Sequence, residues 1–432
     1  MSGLLIAAPA SGAGKTTITL ALLAALKARG VRLASAKAGP DYIDPAFHSA
    51  AAGRQSVNLD PWAMRPAFLR SLAAEISKGA DAFVVEAMMG LFDGAADGGG
   101  SAADLAEHLE LNTVLVVDCA KQSHSVAALV SGFANYRPST RIKGLILNRV
   151  GSPRHETLLK EALGPLEIPV LATIPRCQEL ALPERHLGLV QAGEHADLVE
   201  FLDRAAAIFI EHADLEALSD LALPVSGEPS PQPARLPPLG QRIAIARDDA
   251  FAFIYPHLLD GWRAAGAELS FFSPLQDEAP DETCDAIYLP GGYPELHAGR
   301  LAAAARFKFG VMDTTLRGAT VYGECGGYMT LGEGLIDAGG HRHEMLGLLP
   351  LVTSFETRKL HLGYRRANPL TNEPFAGPMT AHEFHYATIV EQGDGPALFE
   401  AQDARGDQLG VCGQIAGNVC GSFLHLIDLA AS

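Results

Sequence analysis

The sequence predicts two α/β domains, each built on a mainly parallel sheet. Short apolar strands alternate with helical stretches in both halves of the chain, and a segment rich in Pro, Gly and Ser separates the two halves. The length of 432 residues also exceeds what a single core normally holds. We therefore expect a first domain over 1–222, a linker over 223–240 and a second domain over 241–432.

The strands of the first domain are predicted at short apolar runs flanked by turn residues. In chain order these runs are 4–8, 82–86, 113–118, 145–148 and 170–174, with a helix over 17–28 after the first. The second domain has runs at 242–246, 268–272, 286–290 and 320–323, followed by a strand-rich tail around 348–355, 386–391 and 408–411. No fixed-period repeat is visible, so we expect two unlike domains.

Charge and cysteine content narrow the function class. A formal net charge of -17 disfavours binding to nucleic acid or to anionic membranes, and no apolar run has the roughly 18 residues that a membrane span needs. The six cysteines show no C-x-x-C spacing, which fits a reduced cytoplasmic protein rather than a disulfide framework or zinc site. Small molecules are the expected partners, and association into a homo-oligomer stays an open alternative.

A phosphate loop is predicted directly after the first strand, where the chain reads SGAGKTT at 11–17. Glycine-rich backbone can close around phosphate oxygens, the lysine reaches the terminal phosphates, and the first threonine can ligate Mg²⁺. Pro9 stands where the usual motif has its first glycine, but the strand before and the helix after restore the context. The predicted ATP-binding residues are Gly12, Ala13, Gly14, Lys15, Thr16 and Thr17.

Acidic residues follow later strands of the same domain. Glu86 directly follows an apolar run, while Asp41 and Asp93 lie in glycine-containing stretches that follow strands. Because ligands of open α/β sheets bind at the carboxyl ends of strands, we expect Thr16, Asp41 and Glu86 to hold Mg²⁺. Helix and turn capping is the alternative role for such carboxylates. Asn148, at another strand end, is expected either to read an adenine edge or to shape a turn.

A cysteine elbow is predicted in the second domain. Cys325 lies in G-x-C-x-G after the strand at 320–323, and the small residues after it permit a sharp turn into a helix. The helix N-terminus is expected to lower the pKa of the thiol. The backbone N–H of Gly326 and that of Gly292, in the P-G-G turn, are the expected oxyanion donors.

A thiol nucleophile also needs a general base. Among 15 histidines, His425 follows an apolar strand and is the predicted base; His382 and His385 in HEFH are the other candidates. HEFH does not have the H-E-x-x-H spacing of a zinc protease. A buried thiol and a packing histidine are the plain structural alternatives for Cys325 and His425.

The elbow, the P-G-G turn and the distal histidine resemble a class I glutamine amidotransferase domain, and the first half resembles a dethiobiotin synthetase-like ATP domain. SGAGKTT and further stretches along the whole chain are specifically similar to the a,c-diamide synthase family of cobalamin biosynthesis. These further stretches are KAGPDYIDPAFH, EAMMGLFDG, LNRV, LPERHLGL, ARDDAFAFIYP and HEFHY.

The resemblance implies ATP- and glutamine-dependent amidation of the a and c carboxylates of cobyrinic or hydrogenobyrinic acid. ATP would phosphorylate a carboxylate, and ammonia released at Cys325 would displace phosphate to give the amide. The resemblance places Asp41, Tyr42 and Asp93 in substrate activation and Lys37 in the same motif. Other class I domains carry a glutamate two residues after the histidine; here that residue is Ile427. The resemblance therefore implies a Cys325–His425 dyad.

Two kinds of alternative remain open from sequence. One is amidation of another tetrapyrrole, as in cobyric acid synthases or sirohydrochlorin a,c-diamide synthases. The other is a nucleotide switch, in which ATP binding controls association with a partner and no thiol chemistry occurs. The switch predicts that Cys325 is dispensable, whereas the amidotransferase predicts that it is needed for glutamine but not for ammonia.

Overall fold

The computed structural model describes residues 3–177, 180, 184–185, 188–189, 197–222 and 234–430. Linker residues 223–233 and half of the LPERHLGL stretch at 182–189 lie outside the described residues. The chain divides into two compact units. The first comprises Met1–Trp62 with Pro66–Pro233, and the second comprises Ala63–Arg65 with Ala234–Ser432. Each unit has its own sheet and core.

The first unit is built on a seven-stranded parallel sheet of order β3-β2-β4-β1-β5-β6-β7. Its strands are β1 Leu4–Ala7, β2 Leu33–Ala38, β3 Val57–Leu59, β4 Ala82–Glu86, β5 Asn112–Asp118, β6 Ile142–Val150 and β7 Val170–Pro175. A small antiparallel pair follows, β8 Glu184–Arg185 and β9 Gly188–Leu189. β1 to β4 are buried along their whole length, which explains why they read as continuous rather than alternating runs.

Among the described residues of the first unit, eight α-helices connect and follow these strands. They are α1 Lys15–Ala28, α2 Asp44–Ala52, α3 Pro66–Ser77, α4 Ala102–Leu109, α5 Ser125–Tyr136, α6 Pro153–Leu163, α7 Leu198–His212 and α8 Leu215–Leu221, with 3₁₀ turns at Pro138–Thr140 and Gly164–Leu166. α4 begins with a capping box between Ser101 and Asp104. The turns after β1, β2 and β4 gather at the carboxyl edge of the sheet, which is where this topology places ligands.

The second unit has a six-stranded sheet of order β11-β10-β12-β13-β23-β22, with only β22 antiparallel to its neighbour. Its strands are β10 Arg242–Ala246, β11 Glu268–Phe272, β12 Ala286–Leu289, β13 Thr320–Glu324, β22 Gln414–Ala416 and β23 Val419–Ser422. Its helices are α9 Pro256–Ala264, α10 Ala298–Ala303, α11 Ala305–Leu316 and α12 Gly326–Leu331, with 3₁₀ turns at Pro274–Gln276 and Pro294–Leu296.

Two further sheets complete the second unit. One has the order β15-β14-β16-β19, formed by β14 Gly334–Ile336, β15 Arg342–Glu344, β16 Leu351–Ser354 and β19 Thr388–Gln392. The other is antiparallel, with the order β21-β20-β17-β18-β24, formed by β17 His361–Pro369, β18 Met379–His385, β20 Phe399–Asp403, β21 Gln408–Cys412 and β24 Leu424–Leu429. β24 follows β23 after a single residue, so the chain passes directly from the six-stranded sheet to this one.

The described residues contain no helix with the length and apolar character required to cross a bilayer. The apolar helices contribute to the cores instead. α1, for example, buries Leu20, Leu22, Leu23 and Leu26, and α11 buries Phe307 and Val311.

Close backbone packing under α12 yields a stability prediction. A Cβ atom at Gly327 would stand 1.8 Å from the carbonyl oxygen of Leu289, so Gly327→Ala must push α12 away from β12. We expect a loss of about 1–3 kcal/mol in the free energy of unfolding, the usual cost of overpacking, seen as a lower transition midpoint for the second unit in calorimetry. In Gly299→Ala the new Cβ meets nothing closer than 3.7 Å, and we expect an unchanged midpoint. Equal midpoints for both variants would contradict the prediction.

Candidate active sites

The phosphate loop lies between β1 and α1, as predicted. Gly14 precedes the helix with a φ of 89°, a left-handed conformation that glycine adopts without strain. Lys15 is the first helical residue, and its Nζ donates a hydrogen bond to the carbonyl oxygen of Met89 at 2.5 Å. Burial lowers the pKa of Lys15, opposed by the carboxylate of Glu86. The loop thus holds a mostly buried cation at the N-terminus of α1, where an anion is favoured.

Two adjacent residues at the end of β6 fix the outside of this loop. The Nδ2 of Asn148 donates to the carbonyl of Ala13 at 2.9 Å, and the Nη1 of Arg149 donates to the carbonyl of Gly12 at 3.0 Å. Arg149 is held in turn by Asp118 at 2.6 Å. The amide of Asn148 therefore shapes the phosphate loop, and a role for Asn148 in reading an adenine edge stays a prediction.

A buried cluster around Glu86 lies beside the loop. The strand register pairs Lys37 on β2 with Glu86 on β4, and the Nζ of Lys37 lies 2.7 Å from Glu86 Oε1. Thr16 Oγ1 donates to the same oxygen at 2.6 Å, while Nε2 of His48 lies 2.6 Å from Glu86 Oε2. Lys37 also ion-pairs with Asp44, which lies 3.4 Å from Thr16 Oγ1. Every oxygen of Glu86 therefore has a polar partner.

The charges in this cluster are set mainly by burial, by Lys37 and by His48. Burial alone would raise the pKa of Glu86, but Lys37 and His48 outweigh it, so the pKa falls and Glu86 is ionised. Burial and the neighbouring Asp41 raise the pKa of Asp44 to about 6. The two carboxylates raise the pKa of Lys37 despite its burial, so it stays charged. Lys37 thus balances two carboxyl groups inside the protein.

The other predicted activation residues lie around this cluster. Asp41 Oδ1 accepts hydrogen bonds from the N–H groups of Ile43 and Asp44, at 2.8 and 3.0 Å, and so shapes the turn into α2. Asp93 Oδ2 accepts from the N–H of Gly90 at 2.9 Å. The carboxylate of Asp41 helps to raise the pKa of Lys37, and the carboxylate of Asp93 acts in the raising direction on the pKa of Lys15. Tyr42 is half-buried beside Asp41. The metal and substrate roles of Asp41, Tyr42 and Asp93 stay predictions.

The cysteine elbow is present at the end of β13. Cys325 has φ 48° and ψ -103°, a strained conformation for a residue with a side chain, and α12 begins directly after it. Its N–H donates to the carbonyl of Ser422 on β23 at 2.8 Å. A Cβ at Gly326 would lie 3.0 Å from the nitrogen of Gly292, so the two predicted oxyanion donors are neighbours. Their role as donors stays a prediction.

His425 lies beside the elbow on β24. A Cβ at Gly291 would stand 2.4 Å from His425 Cε1 and 3.4 Å from Cys325 Cβ, so both side chains border the space that Gly291 leaves open. Gly291 precedes the predicted oxyanion donor Gly292, and its role in leaving room for these two side chains was not predicted from the sequence. His425 and Cys325 are both buried, with relative exposures of 1% and 3%. The chain thus brings together a thiol and an imidazole from positions 100 residues apart in sequence.

The thiol and the imidazole are both neutral at rest. The expectation that the helix N-terminus lowers the pKa of Cys325 was wrong, because burial and then Glu295 raise it, against a small opposite effect of the Gly326 N–H. Burial, with His382 and His385 nearby, lowers the pKa of His425 to about 3. A neutral imidazole can accept a proton from a neutral thiol, so the arrangement suits general-base activation of a nucleophile.

A carboxylate also lies under the elbow. Glu324 is the last residue of β13, with a relative exposure of 2%, and its Oε2 is 3.9 Å from His425 Nδ1. Tyr288 donates to Oε2 at 2.7 Å and Tyr322 to Oε1 at 3.1 Å. Burial raises the pKa of Glu324 to about 7, against the effect of these hydrogen bonds. The sequence analysis gave Glu324 no role.

Glu383 and His385 of the HEFH stretch line a cavity of about 550 Å³ in the second unit. Glu383 accepts a hydrogen bond from Arg365 Nε at 2.8 Å, and its other oxygen lies 3.1 Å from His385 Nε2. His361 stacks on His385 with ring centroids 4.6 Å apart. His361, Glu383 and His385 have ligand-type atoms within 4.8 Å of one another. Burial opposes ionisation of Glu383, but His385 and Arg365 lower its pKa to about 2. Glu383 is therefore ionised, and its negative charge is already compensated by protein groups.

Two residues that had no predicted role, His48 and Glu324, are therefore central. Asp44, for which the sequence left a capping role and a site role equally open, joins them. Asp44 and His48 are four apart on α2, which places them on one helix face. That spacing was a usable signal once a helix was expected there. For Glu324, the signal was a charged residue at the end of an otherwise apolar strand.

Both units of the chain are similar to known protein domains. Residues 242–431 match the model of the CobB/CobQ-like glutamine amidotransferase domain, and residues 4–190 match that of the CobQ/CobB/MinD/ParA nucleotide binding domain. A Sinorhizobium sp protein called hydrogenobyrinate a,c-diamide synthase is 60% identical over 433 residues, covering 100% of both chains.

Two further proteins of the same name are similar over their full length. One from Brucella anthropi is 60% identical over 430 residues, covering 99% of this chain and 99% of its own. One from Rhizobium meliloti is 58% identical over 431 residues, covering 100% of both chains. The similarity therefore extends across both units and the segment between them.

Lys37, which lies between two buried carboxyl groups, yields a pH-dependent prediction. Lys37→Met leaves Asp44 and Glu86 without the buried cation that contacts both, which we expect to cost about 3–5 kcal/mol of unfolding free energy at about pH 7.5. Without the lysine, we expect the pKa of Asp44, which is already raised, to rise further and the pKa of Glu86 to rise above its unfolded value. The folded state then binds the extra proton, so the stability of the variant falls as pH rises.

We therefore expect the deficit of Lys37→Met to be smaller at about pH 5 than at about pH 7.5, measured by calorimetry of the first unit. Lys27→Met removes an exposed lysine and is the matched control, with an expected change within about 0.5 kcal/mol at both pH values. The same deficit at both pH values would show that the variant acts through packing rather than charge.

Proposed function

The chain belongs to the hydrogenobyrinate a,c-diamide synthase family, and from that membership we propose that it amidates the a and c carboxylates of hydrogenobyrinic acid. It is an ATP-dependent carbon–nitrogen ligase with glutamine as the nitrogen donor, and it acts in cobalamin biosynthesis. The observation that carries the proposal is the full-length identity of 58–60% to proteins of that name. That identity spans a nucleotide binding domain and a glutamine amidotransferase domain together.

In the first unit, the proposed reaction is phosphoryl transfer from ATP to a carboxylate of the substrate. Gly12, Ala13 and Gly14 would surround the phosphates with backbone N–H groups, and Lys15 would bind the terminal phosphates. Thr17, in the first turn of α1, completes the expected set. The product is an acyl phosphate, whose phosphate group leaves when ammonia attacks the carbonyl carbon.

Mg²⁺ is the proposed cofactor of this step. Thr16 Oγ1, Glu86 and Asp44 offer the oxygen ligands that Mg²⁺ prefers, and Thr16 already contacts both carboxylates. We propose that these three residues hold the ion. Asp41, which completes the acidic environment, is proposed to contribute from the outer side. When bound, Mg²⁺ would offset the negative charge of the phosphates and so reduce their repulsion of an incoming carboxylate.

Lys37 gives this proposal a specific consequence. Its ammonium contacts the carboxylates of both Asp44 and Glu86. In the proposed active complex Lys37 offsets part of the negative charge of both carboxylates, with and without the metal bound. His48 holds the far oxygen of Glu86 in both cases, which fixes the direction in which the near oxygen points.

In the second unit, the proposed reaction is glutamine hydrolysis. His425 takes the proton of Cys325, and the thiolate attacks the side-chain amide of glutamine. Ammonia then departs, and the thioester that remains on Cys325 is hydrolysed by water. The N–H groups of Gly326 and Gly292 are proposed to stabilise the oxyanion of each tetrahedral intermediate. Ammonia produced in the second unit is consumed by the acyl phosphate made in the first.

The first test separates the two half-reactions. Wild-type protein and Cys325→Ser are incubated with ATP, Mg²⁺ and either glutamine or an ammonium salt, beside hydrogenobyrinic and cobyrinic acids in separate samples. Mass spectrometry counts the hydroxyl-to-amine exchanges. We expect two exchanges on hydrogenobyrinic acid with either nitrogen source for the wild type, and with ammonium alone for Cys325→Ser.

Other outcomes of this test identify the alternatives. Exchanges on cobyrinic acid alone would change the proposed substrate to the cobalt-containing compound. No exchange on either acid would contradict the a,c-diamide assignment and favour another tetrapyrrole. ATP turnover without any tetrapyrrole, unaffected by Cys325→Ser, would favour a nucleotide switch. The matched control Cys284→Ser alters a buried thiol that the proposal does not use, and we expect it to behave like the wild type.

A lysine substitution tests the first unit separately. Lys15→Met removes the cation proposed to bind the terminal phosphates, and we expect amidation to fall at least about 100-fold with glutamine and with ammonium alike, since charge stabilisation by such groups supplies about that factor. Lys121→Met alters an exposed lysine and should leave amidation unchanged. The measurement is the rate of amide formation by mass spectrometry. Amidation by Lys15→Met at the wild-type rate would remove the phosphate loop from the mechanism.

A further inference from the structure

Glu324 is a buried carboxylate in an unusual place, directly before the nucleophile. Its side chain has a relative exposure of 3%, and burying a carboxylate is costly unless partners satisfy it. Three donors do so: Tyr288 on Oε2, Tyr322 on Oε1, and the N–H of Leu426 on Oε1 at 3.2 Å. The register places Tyr288 and Tyr322 side by side on adjacent strands, and their rings stack 6.0 Å apart. The site for this carboxylate is thus built by β12, β13 and β24.

Two of its contacts concern His425. Leu426, which donates to Oε1, is the residue immediately after His425, so the hydrogen bond fixes the backbone that carries the imidazole. The other oxygen, Oε2, lies 3.9 Å from His425 Nδ1. In the proposed reaction Nδ1 faces Glu324, and Nε2 would take the proton of Cys325. The carboxylate therefore accepts a hydrogen bond from the backbone next to the proposed base and lies within ion-pair range of its ring.

Chemistry explains why a carboxylate is needed there. Related class I domains carry a glutamate two residues after the histidine, but this chain has the apolar and buried Ile427. A histidine base works best when a negative group fixes its tautomer and stabilises the imidazolium that forms. We propose that Glu324 is the positioning residue for His425 in glutamine hydrolysis, supplying from the elbow strand the carboxylate that position 427 does not provide. This inference rests on the proposed glutaminase function of Cys325.

Cys325 and His425 account for every proton transfer in the step that forms the thioester. The Sγ–H bond of Cys325 breaks, its proton goes to Nε2 of His425, and the electron pair stays on sulfur to form the C–S bond. The imidazolium then donates that proton to the departing ammonia as the C–N bond breaks. Between these events the positive charge lies on a ring whose Nδ1 faces Glu324. The carboxylate thus stabilises the state in which charge has developed.

Other charged groups also face this ring, and the test must separate them from Glu324. His382 pairs with His425 across β18 and β24, and His385 acts on it in the same direction, lowering its pKa. Glu383 acts in the opposite direction. All three lie on β18, whereas Glu324 approaches from β13. A substitution at Glu324 leaves the β18 groups in place.

Glu324→Gln is the decisive variant. Glutamine keeps the volume, and its carbonyl oxygen can still accept from Leu426, so the variant removes charge while retaining shape. We expect kcat for glutamine hydrolysis to fall about 10- to 100-fold, the scale of a slightly misplaced catalytic group, while KM for glutamine changes less than about twofold. Amidation with ammonium should stay at the wild-type rate.

The pH profile gives a readout that a purely structural role would not move. Burial raises the pKa of Glu324 to about 7, so protonation of Glu324 at lower pH removes the charge that the proposal requires. The wild-type kcat/KM for glutamine should therefore fall as the pH decreases below about 7, and Glu324→Gln, which has no titrating group at this position, should lack that acid limb. Glu333→Gln neutralises an exposed glutamate of the same unit and is the matched control, with unchanged kcat and profile.

Each of the other possible outcomes supports or overturns the positioning role of Glu324. Wild-type kcat in Glu324→Gln would overturn the inference and leave the glutaminase function intact. Loss of both glutamine- and ammonium-dependent amidation, with a lowered unfolding transition, would show a structural role only. A wild type that releases no glutamate would overturn the proposed function and this inference together. If Glu324→Gln does not fold, Glu324→Asp is the second variant, which keeps the charge at a greater distance from His425. A lowered kcat with the acid limb at its wild-type position would support the positioning role of Glu324. A wild-type kcat in Glu324→Asp would overturn the inference.

Discussion

The burial of ionisable groups at the carboxyl ends of parallel strands is the constraint on which both sites depend. Glu86 shows it most clearly: the end of β4 is fully enclosed, so an ionised carboxylate there requires a donor for each oxygen. Thr16, Lys37 and His48 meet that requirement, and they come from α1, β2 and α2. One carboxylate thereby fixes the first helical turn after the phosphate loop relative to the neighbouring strand and helix.

The second unit meets the same constraint in the opposite way. Its thiol and imidazole are buried in their neutral forms, since burial raises the pKa of Cys325 and lowers that of His425. The difference suits the chemistry of each unit. Phosphoryl transfer needs fixed charges around phosphates, so the first site is ionised in advance. Thiol attack needs a proton to move during the reaction, so the thiol and imidazole of the second site begin neutral and develop charge only along the reaction path.

Much of this architecture was readable from the sequence because it depends on local pattern. The strands at 242–246 and 268–272 have the predicted bounds, and the phosphate loop and the elbow follow the strands that predicted them. β2 was not predicted, since LASAKA has no aromatic or β-branched residue, and its strand conformation depends on burial between β3 and β4. The cluster partners Asp44 and His48 depend on a tertiary contact with β4. The thiol pKa was mispredicted because burial depends on the whole unit, whereas the helix dipole is a local effect.

The neutral resting state of Cys325 and His425 has a consequence for how glutamine is used. Transferring the proton inside a buried site creates a thiolate and an imidazolium, which burial disfavours in the absence of substrate. In the proposed reaction bound glutamine changes this balance, because attack moves the negative charge from sulfur to an oxyanion, for which the N–H of Gly326 is the proposed donor. Formation of the thiolate is therefore favoured only when the amide of a bound glutamine is in position for attack. An enzyme that must deliver ammonia to an acyl phosphate benefits from such a site, since a permanently ionised thiol would be exposed to oxidation and other electrophiles between turnovers.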